Sequence, residues 1–356
     1  MPQPRTFTAT PFRPRRGARS PHVQTIWGNF MRRENLLPPP EFRRFTVEGT
    51  PGSADFAEVL CACHWQPTPD FRCAPTVIIV HGLEGSIESN YVIGAGSKAW
   101  AAGMNVVRMN MRNCGGTESL TPTLYHSGLS ADLAAIVRTL TAQDQLRTIA
   151  LVGFSMGGNL VLKCAGEWGS NNAPPPVQLS CVVAVSPAMD LAPSARAISS
   201  RGNRLYEIRF MRGLRRRYQR KRELFPDRYD DITIPWNATI WQFDDLITAR
   251  YNGFTDAADY YERSSASRLL HHIPVPALII HALDDPFIRI PEQSRARALA
   301  NPHITYLETA HGGHCAFLAD PDPASRYDGR WAEKTAIDFI ASHGSRREIT
   351  VGPHIR

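Results

Sequence analysis

Apolar residues fall in short, dense runs along the chain. Pro75–His81 reads PTVIIVH, Thr148–Phe154 TIALVGF, Leu179–Ser186 LSCVVAVS and Pro276–Ala282 PALIIHA. Continuous runs of this length suit strands buried on both faces of a parallel sheet. Between them the apolar period lengthens to that of helices: Leu160, Val161, Cys164, Ala165 and Trp168 repeat at helical spacing. Asn90–Ala102, Asp132–Ala142 and Trp331–His343 read as further helices, and Asn105–Asn110 and Ile304–Thr309 as further strands. Residues 75–187 therefore alternate strand and helix, which predicts a parallel sheet with right-handed crossovers. Phe42–Glu48 and Phe56–Trp65 predict an antiparallel pair ahead of it.

From residue 188 to 267 the alternation stops, and aromatic, Arg-rich helical segments replace it. It resumes with PALIIHA. The simplest organisation is one α/β core, residues 41–187 and 268–343, with a helical cap of residues 188–267 inserted into it. Residues 1–40, with Pro2, Pro4, Pro11 and Pro14 around the patch His22–Trp27, read as an extended arm, and 344–356 as a tail. There are no internal repeats.

Composition adds limits. A hydrophobic share of 43% supports a sizeable core. The net charge of +7 raises a nucleic-acid reading, but only four of the 40 basic residues are lysine. That bias fits a GC-rich genome, and charge alone says nothing of fold, so no nucleic-acid partner is expected. Seven cysteines without a C-x-x-C pair fit reduced thiols in a cytoplasmic protein. No apolar run reaches 18 residues and the N-terminus lacks an apolar signal core, so neither a membrane span nor a secretory signal is expected.

The chemistry centres on Gly153-Phe154-Ser155-Met156-Gly157. This is G-x-S-x-G between a strand and a helix. The bare pattern arises by chance in about one chain in ten of this length, so the strand–turn–helix context carries the reading. Such a turn exposes Ser155 Oγ at a helix N-terminus and frees the Met156 N–H for a developing oxyanion. His81-Gly82-Leu83, following the strand PTVIIVH, offers the Leu83 N–H as second donor. His81 is expected to hold that turn by hydrogen bonds, and His126 to fix its own loop.

A serine nucleophile needs a histidine base and an orienting carboxylate, which in this architecture follow in the order Ser, Asp/Glu, His. Two later loops supply candidates. Leu283-Asp284-Asp285-Pro286 follows one strand and His311-Gly312-Gly313-His314 another. Asp285 is preferred over Asp284 because Pro286 fixes the backbone after it. His314 is preferred over His311 because the glycines let that part of the loop approach the serine. A metal site at these residues is disfavoured, since no H-E-x-x-H pattern is present, and no cofactor is expected. Asp244, Asp245, Asp256 and Asp259, in the insertion, read as helix caps or solvated residues.

Taken together, HGLEGS, NMRNCGG, YHSGLSADL, GFSMGGN, HALDDPF, HGGHCAF, the early H-V-Q-T-I and the segment F-x-x-x-x-T-A-R-Y-x-G-F-x-D-A-x-D-Y-Y resemble the YheT-like branch of α/β-hydrolases. These bacterial proteins are related to eukaryotic abhydrolase-domain esterases and phospholipases. The likeness spans roughly residues 10–343. It implies an α/β-hydrolase fold, Ser155 as nucleophile, Asp285 as acid, His314 as base, and hydrolysis of an acyl ester or lipid. Two rivals remain: an acyltransferase on the same scaffold, and a non-catalytic lipid- or protein-binding module. The resemblance leaves the oligomeric state open.

Arg204–Arg222 stands outside the family motifs, with eight Arg and one Lys. Leu205, Ile208, Met211 and Leu214 suggest an apolar stripe. The preferred reading is a cap helix with a solvated basic face; the other is peripheral contact with anionic membrane.

Overall fold

The structure, a computed structural model, describes residues 7–49, 57–170 and 174–344. Its frame is one eight-stranded sheet, ordered β1-β2-β4-β3-β5-β6-β7-β8. The antiparallel edge is β1 (Glu41–Val47) with β2 (Ala57–His64), and β2 pairs antiparallel with β4 (Asn105–Met109). All remaining pairings are parallel: β3 (Thr76–Val80), β5 (Ile149–Phe154), β6 (Leu179–Val185), β7 (Ala277–Ala282) and β8 (Ile304–Thr309). Parallel strands deliver their C-terminal ends to one edge, so the turns after β3, β5, β7 and β8 share it.

The two-residue period of the strands sorts the core into two layers. Ile78 and Val80 of β3 and Leu151 of β5 join Leu133, Leu140 and Leu160 of α3 (Ser130–Ala142) and α4 (Met156–Ser170). The alternate residues Val77, Ile79 and Val152 face Val92 and Ala95 of α2 (Asn90–Ala101) and Ile340 of α10 (Trp331–His343). Every residue of β3 and β5 is buried, which is why their sequences show no polar alternation.

Between β6 and β7 the chain is helical: α5 (Leu191–Ile198), α6 (Arg204–Leu224), α7 (Ile240–Phe243) running into a π-helical turn Asp244–Ala249, and α8 (Ala257–Ser264). The crossover from β7 to β8 is α9 (Glu292–Ala300), which buries only Ser294 and Ala298 and so left no apolar stripe to read.

Two expectations are corrected. The arm is not extended throughout: Pro21–Phe30 is a helix, α1. Pro21 sits in its first turn, where a missing N–H costs nothing, and Gln24, Thr25 and Gly28 are buried. Second, of the stripe Leu205, Ile208, Met211, Leu214, α6 buries only Met211 and Leu214. Steps of three residues drift around a helix, and at about 100° per residue Leu205 and Leu214 stand on opposite sides. The buried face is Glu207, Met211, Leu214, Tyr218 and Lys221, and Leu205 is 83% exposed. Of the expected tail, all beyond Gly344 lies outside the described residues.

Candidate active site

β5 passes into α4 through Ser155 alone, held at φ 54°. A non-glycine residue tolerates that conformation only where its surroundings fix it. Ser155 N–H donates to Val185 O at 2.9 Å, and Ser155 O accepts from Asn159 and Ala188 N–H. The flanking glycines are required by contact: a Cβ at Gly153 would lie 2.1 Å from Gly157 O, and one at Gly157 2.4 Å from Val80 O. The turn after β3 lies directly above, where a Cβ on Gly82 would come 3.0 Å from Ser155 Cβ. Tyr91 OH accepts the Gly82 N–H at 2.9 Å.

The loops after β7 and β8 meet at this serine. His314 Nε2 is 2.9 Å from Ser155 Oγ, and His314 Nδ1 is 2.8 Å from Asp285 Oδ2. Asp285 is 1% exposed, and its other oxygen accepts the N–H groups of Phe287 and Ile288 at 2.8 and 3.0 Å. Those bonds fix the orientation of the carboxylate; in the neutral ring, a proton on Nδ1 facing Asp285 leaves Nε2 to accept from Ser155. Burial pushes His314 toward the neutral form, but the charge and hydrogen bond of Asp285, joined by those of Cys315, outweigh it, so its pKa stands well above that of ordinary histidine. Asp284 and His311 pair with each other instead, His311 Nδ1 lying 3.3 Å from Asp284 Oδ2 while Gly313 N–H donates to Asp284 Oδ1 at 2.9 Å.

His81 bridges two loops: Met111 N–H donates to Nε2 at 3.0 Å, and Nδ1 lies 2.8 Å from Gly82 O. Burial lowers its pKa to about 4, so it stays neutral. His126 accepts the Gly128 N–H, and burial together with nearby Arg and Lys charges lowers it to about 3.

The insertion closes over Ser155 and leaves a partly open cleft beside it. Most of its wall is apolar, including Leu124, Ile198, Phe210, Leu214, Phe243 and Ile288. Arg217 of α6 joins this roof to the turn after β3. It lies 3.1 Å from Glu84 Oε1 and 4.6 Å above the Tyr125 ring, while Tyr125 OH donates to the same Glu84 oxygen at 2.8 Å.

Three residues escaped the sequence reading. Asp244 is neither a cap nor solvated. It lines the cleft, buried, and accepts hydrogen bonds from Thr248 Oγ1 at 2.6 Å and Tyr261 OH at 2.7 Å. Burial pushes its pKa up to about 6. The available signal was its register with Ile240, Phe243 and Ile247 on one helical face. Asp256, in contrast, caps α8 through Asp259 N–H. Thr25 accepts the His314 N–H at 2.9 Å, and Tyr91 orients Gly82. Thr25 lies within the H-V-Q-T-I motif, which assigns it no role, and Tyr91 carries no sequence signal of its own. Among the described residues no group of three or more His, Cys, Asp or Glu could hold a metal ion, and no helix is long and apolar enough to cross a membrane.

A serine between strand and helix, addressed by a histidine and an aspartate from later loops of the same sheet edge, is the arrangement of an α/β hydrolase. The family described as "alpha/beta hydrolase fold" matches residues 75–321, and the chain belongs to it. It is 31% identical over 340 residues, 93% of each chain, to a protein of Escherichia coli (strain K12) named "Putative esterase YheT". It is 28% identical to a monoacylglycerol lipase of Saccharomyces cerevisiae, across 75% of this chain and 59% of that one. It is 25% identical to phospholipase ABHD3 of Mus musculus, across 83% and 73%. Among solved structures, the Pyrococcus furiosus esterase Pf2001 superposes with a TM-score of 0.51 at 15% identity, over 85% of this chain and 93% of that one. That likeness concerns the fold.

Proposed function

We propose that this chain is a serine hydrolase that cleaves carboxylic esters through an acyl-enzyme, with Ser155, His314 and Asp285 as its triad. The observation that carries the reading is the single imidazole of His314 within hydrogen-bond distance of both Ser155 Oγ and Asp285 Oδ2. His314 Nε2 takes the Ser155 proton as Oγ attacks the ester carbonyl. The N–H groups of Met156 and Leu83 receive the oxyanion. Collapse breaks the ester C–O bond, and His314 returns its proton to the departing alcohol. Water then attacks the acyl-enzyme, giving its proton to Nε2, and the acid leaves as Ser155 regains its hydrogen.

The apolar cleft supports an acyl chain or lipid ester as substrate, as do the names of the lipase relatives. Turnover of a p-nitrophenyl ester series tests both parts. Ser155→Ala is expected to lose activity by orders of magnitude, and medium acyl chains to exceed acetate in kcat/KM. Full activity in Ser155→Ala overturns the triad, and strict preference for acetate overturns the use of the cleft.

A further inference from the structure

We propose that the outer faces of α1 and α6 together form a docking surface for an anionic lipid bilayer, at the rim of the cleft. The helix α6 has two opposed faces. Glu207, Met211, Leu214, Tyr218 and Lys221 point inward. At about 100° per residue, Leu205, Ile208, Arg209, Arg212 and Arg216 fall together on the other side, and all five are exposed.

The arginines of α6 differ in their partners. Arg217, Arg220 and Arg222 pair with Glu84, Glu223 and Asp231. Among the described residues, Arg209, Arg212 and Arg216 pair with no carboxylate. Arg209 instead lies 5.8 Å from the ring of Phe30 on α1. The neighbouring outer side of α1 shows Ile26, Trp27, Phe30 and Met31 to solvent, Phe30 at 67% and Trp27 at 48%. The helices also meet where His22 Nδ1 lies 3.1 Å from Tyr206 OH.

Large exposed apolar side chains beside unpaired arginines match an interfacial surface: aromatic and aliphatic groups enter the acyl boundary while guanidinium groups meet anionic headgroups. A two-fold contact with a second copy would return the same arginines to the same patch, so charge favours lipid. The surface also borders the chemistry. Tyr206 packs edge-on to Phe287 at 4.6 Å, and Phe287 packs on His314 at 4.8 Å. A substrate leaving the bilayer here would enter beside Ser155. That delivery role rests on the proposed ester hydrolysis; the docking does not.

Co-sedimentation of the full chain tests it, using vesicles of phosphatidylcholine alone and of phosphatidylcholine with phosphatidylglycerol in equal parts. Retention is expected on the anionic vesicles at low salt and to fall with added salt. The triple variant Arg209→Gln/Arg212→Gln/Arg216→Gln is expected to bind on the order of a hundredfold more weakly. Trp27→Ala/Phe30→Ala is also expected to bind more weakly, and both variants to keep full turnover of a short soluble ester. Equal retention on both vesicles overturns the proposal. So does wild-type binding by the triple variant, or concentration-dependent dimerisation that the same variants abolish. Retention by a protein that hydrolyses no ester supports the docking and overturns the hydrolase reading instead.

Discussion

The Thr25 hydroxyl accepts the backbone N–H of His314 at 2.9 Å, which ties the N-terminal helix α1 to the loop that aims the imidazole. The contact is close on every side: a Cβ on Gly313, at φ 58°, would lie 2.6 Å from Pro21 O and 2.9 Å from Thr25 Oγ1. Thr25→Val leaves the His314 N–H without its acceptor, a cost of about 1–3 kcal/mol when buried, and loosens the histidine against Ser155. The expected result is a fall in kcat of about tenfold or more with KM for a short ester little changed, since small displacements of a catalytic group cost rate steeply. Steady-state kinetics check it, and unchanged kcat would show that α1 is only packing.

Arg217 and Glu84 connect the insertion to the residue next to Leu83. Glu84 is held at φ 56°, and the pair is largely shielded from water. Removing either charge strands the other, so Arg217→Met and Glu84→Gln are each expected to lose about 3 kcal/mol of stability. The double variant is expected to lose less than the sum, by about 1–3 kcal/mol. Urea melts of the four proteins measure this; strict additivity would deny the coupling.

The pH dependence follows from Asp285. Its carboxylate stabilises the imidazolium, so His314 holds its proton above the ordinary histidine pKa, near 6.5. In the proposed mechanism His314 acts as a base only when its ring is neutral, so activity is expected to be gained as pH rises through that raised value. The acid limb of kcat/KM is therefore expected above about pH 6.5. In Asp285→Asn the limb should move to lower pH, and kcat should drop about 10³–10⁴-fold. A limb that stays in place would detach the aspartate from the histidine.

Asp244 predicts the opposite kind of pH effect, on stability. Its pKa, pushed up from 3.8 to about 6, means the folded chain binds that proton more tightly than the unfolded chain. Its contribution is therefore lost as pH rises from about 4 to about 6, by on the order of 3 kcal/mol. Asp244→Asn should remove that slope and gain on the wild type across the same window. Thermal melts at the two ends of it decide the matter.

The sheet was legible because β3, β5, β6 and β7 are buried on both faces and so appear as unbroken apolar runs. The Ser155 turn was legible because its geometry excludes side chains at Gly153 and Gly157. Two adjacent aspartates and two nearby histidines could only be ranked, since the pairings Asp285 with His314 and Asp284 with His311 depend on where two loops meet. The insertion was hardest. In α6 a three-residue spacing of Leu205, Ile208, Met211 and Leu214 imitated a buried stripe, while the actual inner face carries Glu207 and Lys221. Asp244 was hidden for a related reason: a buried acid is satisfied by Thr248 and Tyr261, and only one of those lies within a helical turn of it. Thr25 acts across 289 residues of chain, beyond any local pattern.

The most direct test is labelling with a fluorophosphonate probe, which needs an activated serine and no knowledge of the substrate. Intact mass of the wild-type chain should show one adduct, mapping to Ser155, with none on Ser155→Ala and strongly slowed labelling of His314→Ala. An adduct of equal stoichiometry on Ser155→Ala, or none on a wild-type protein that hydrolyses esters, would contradict the proposed triad.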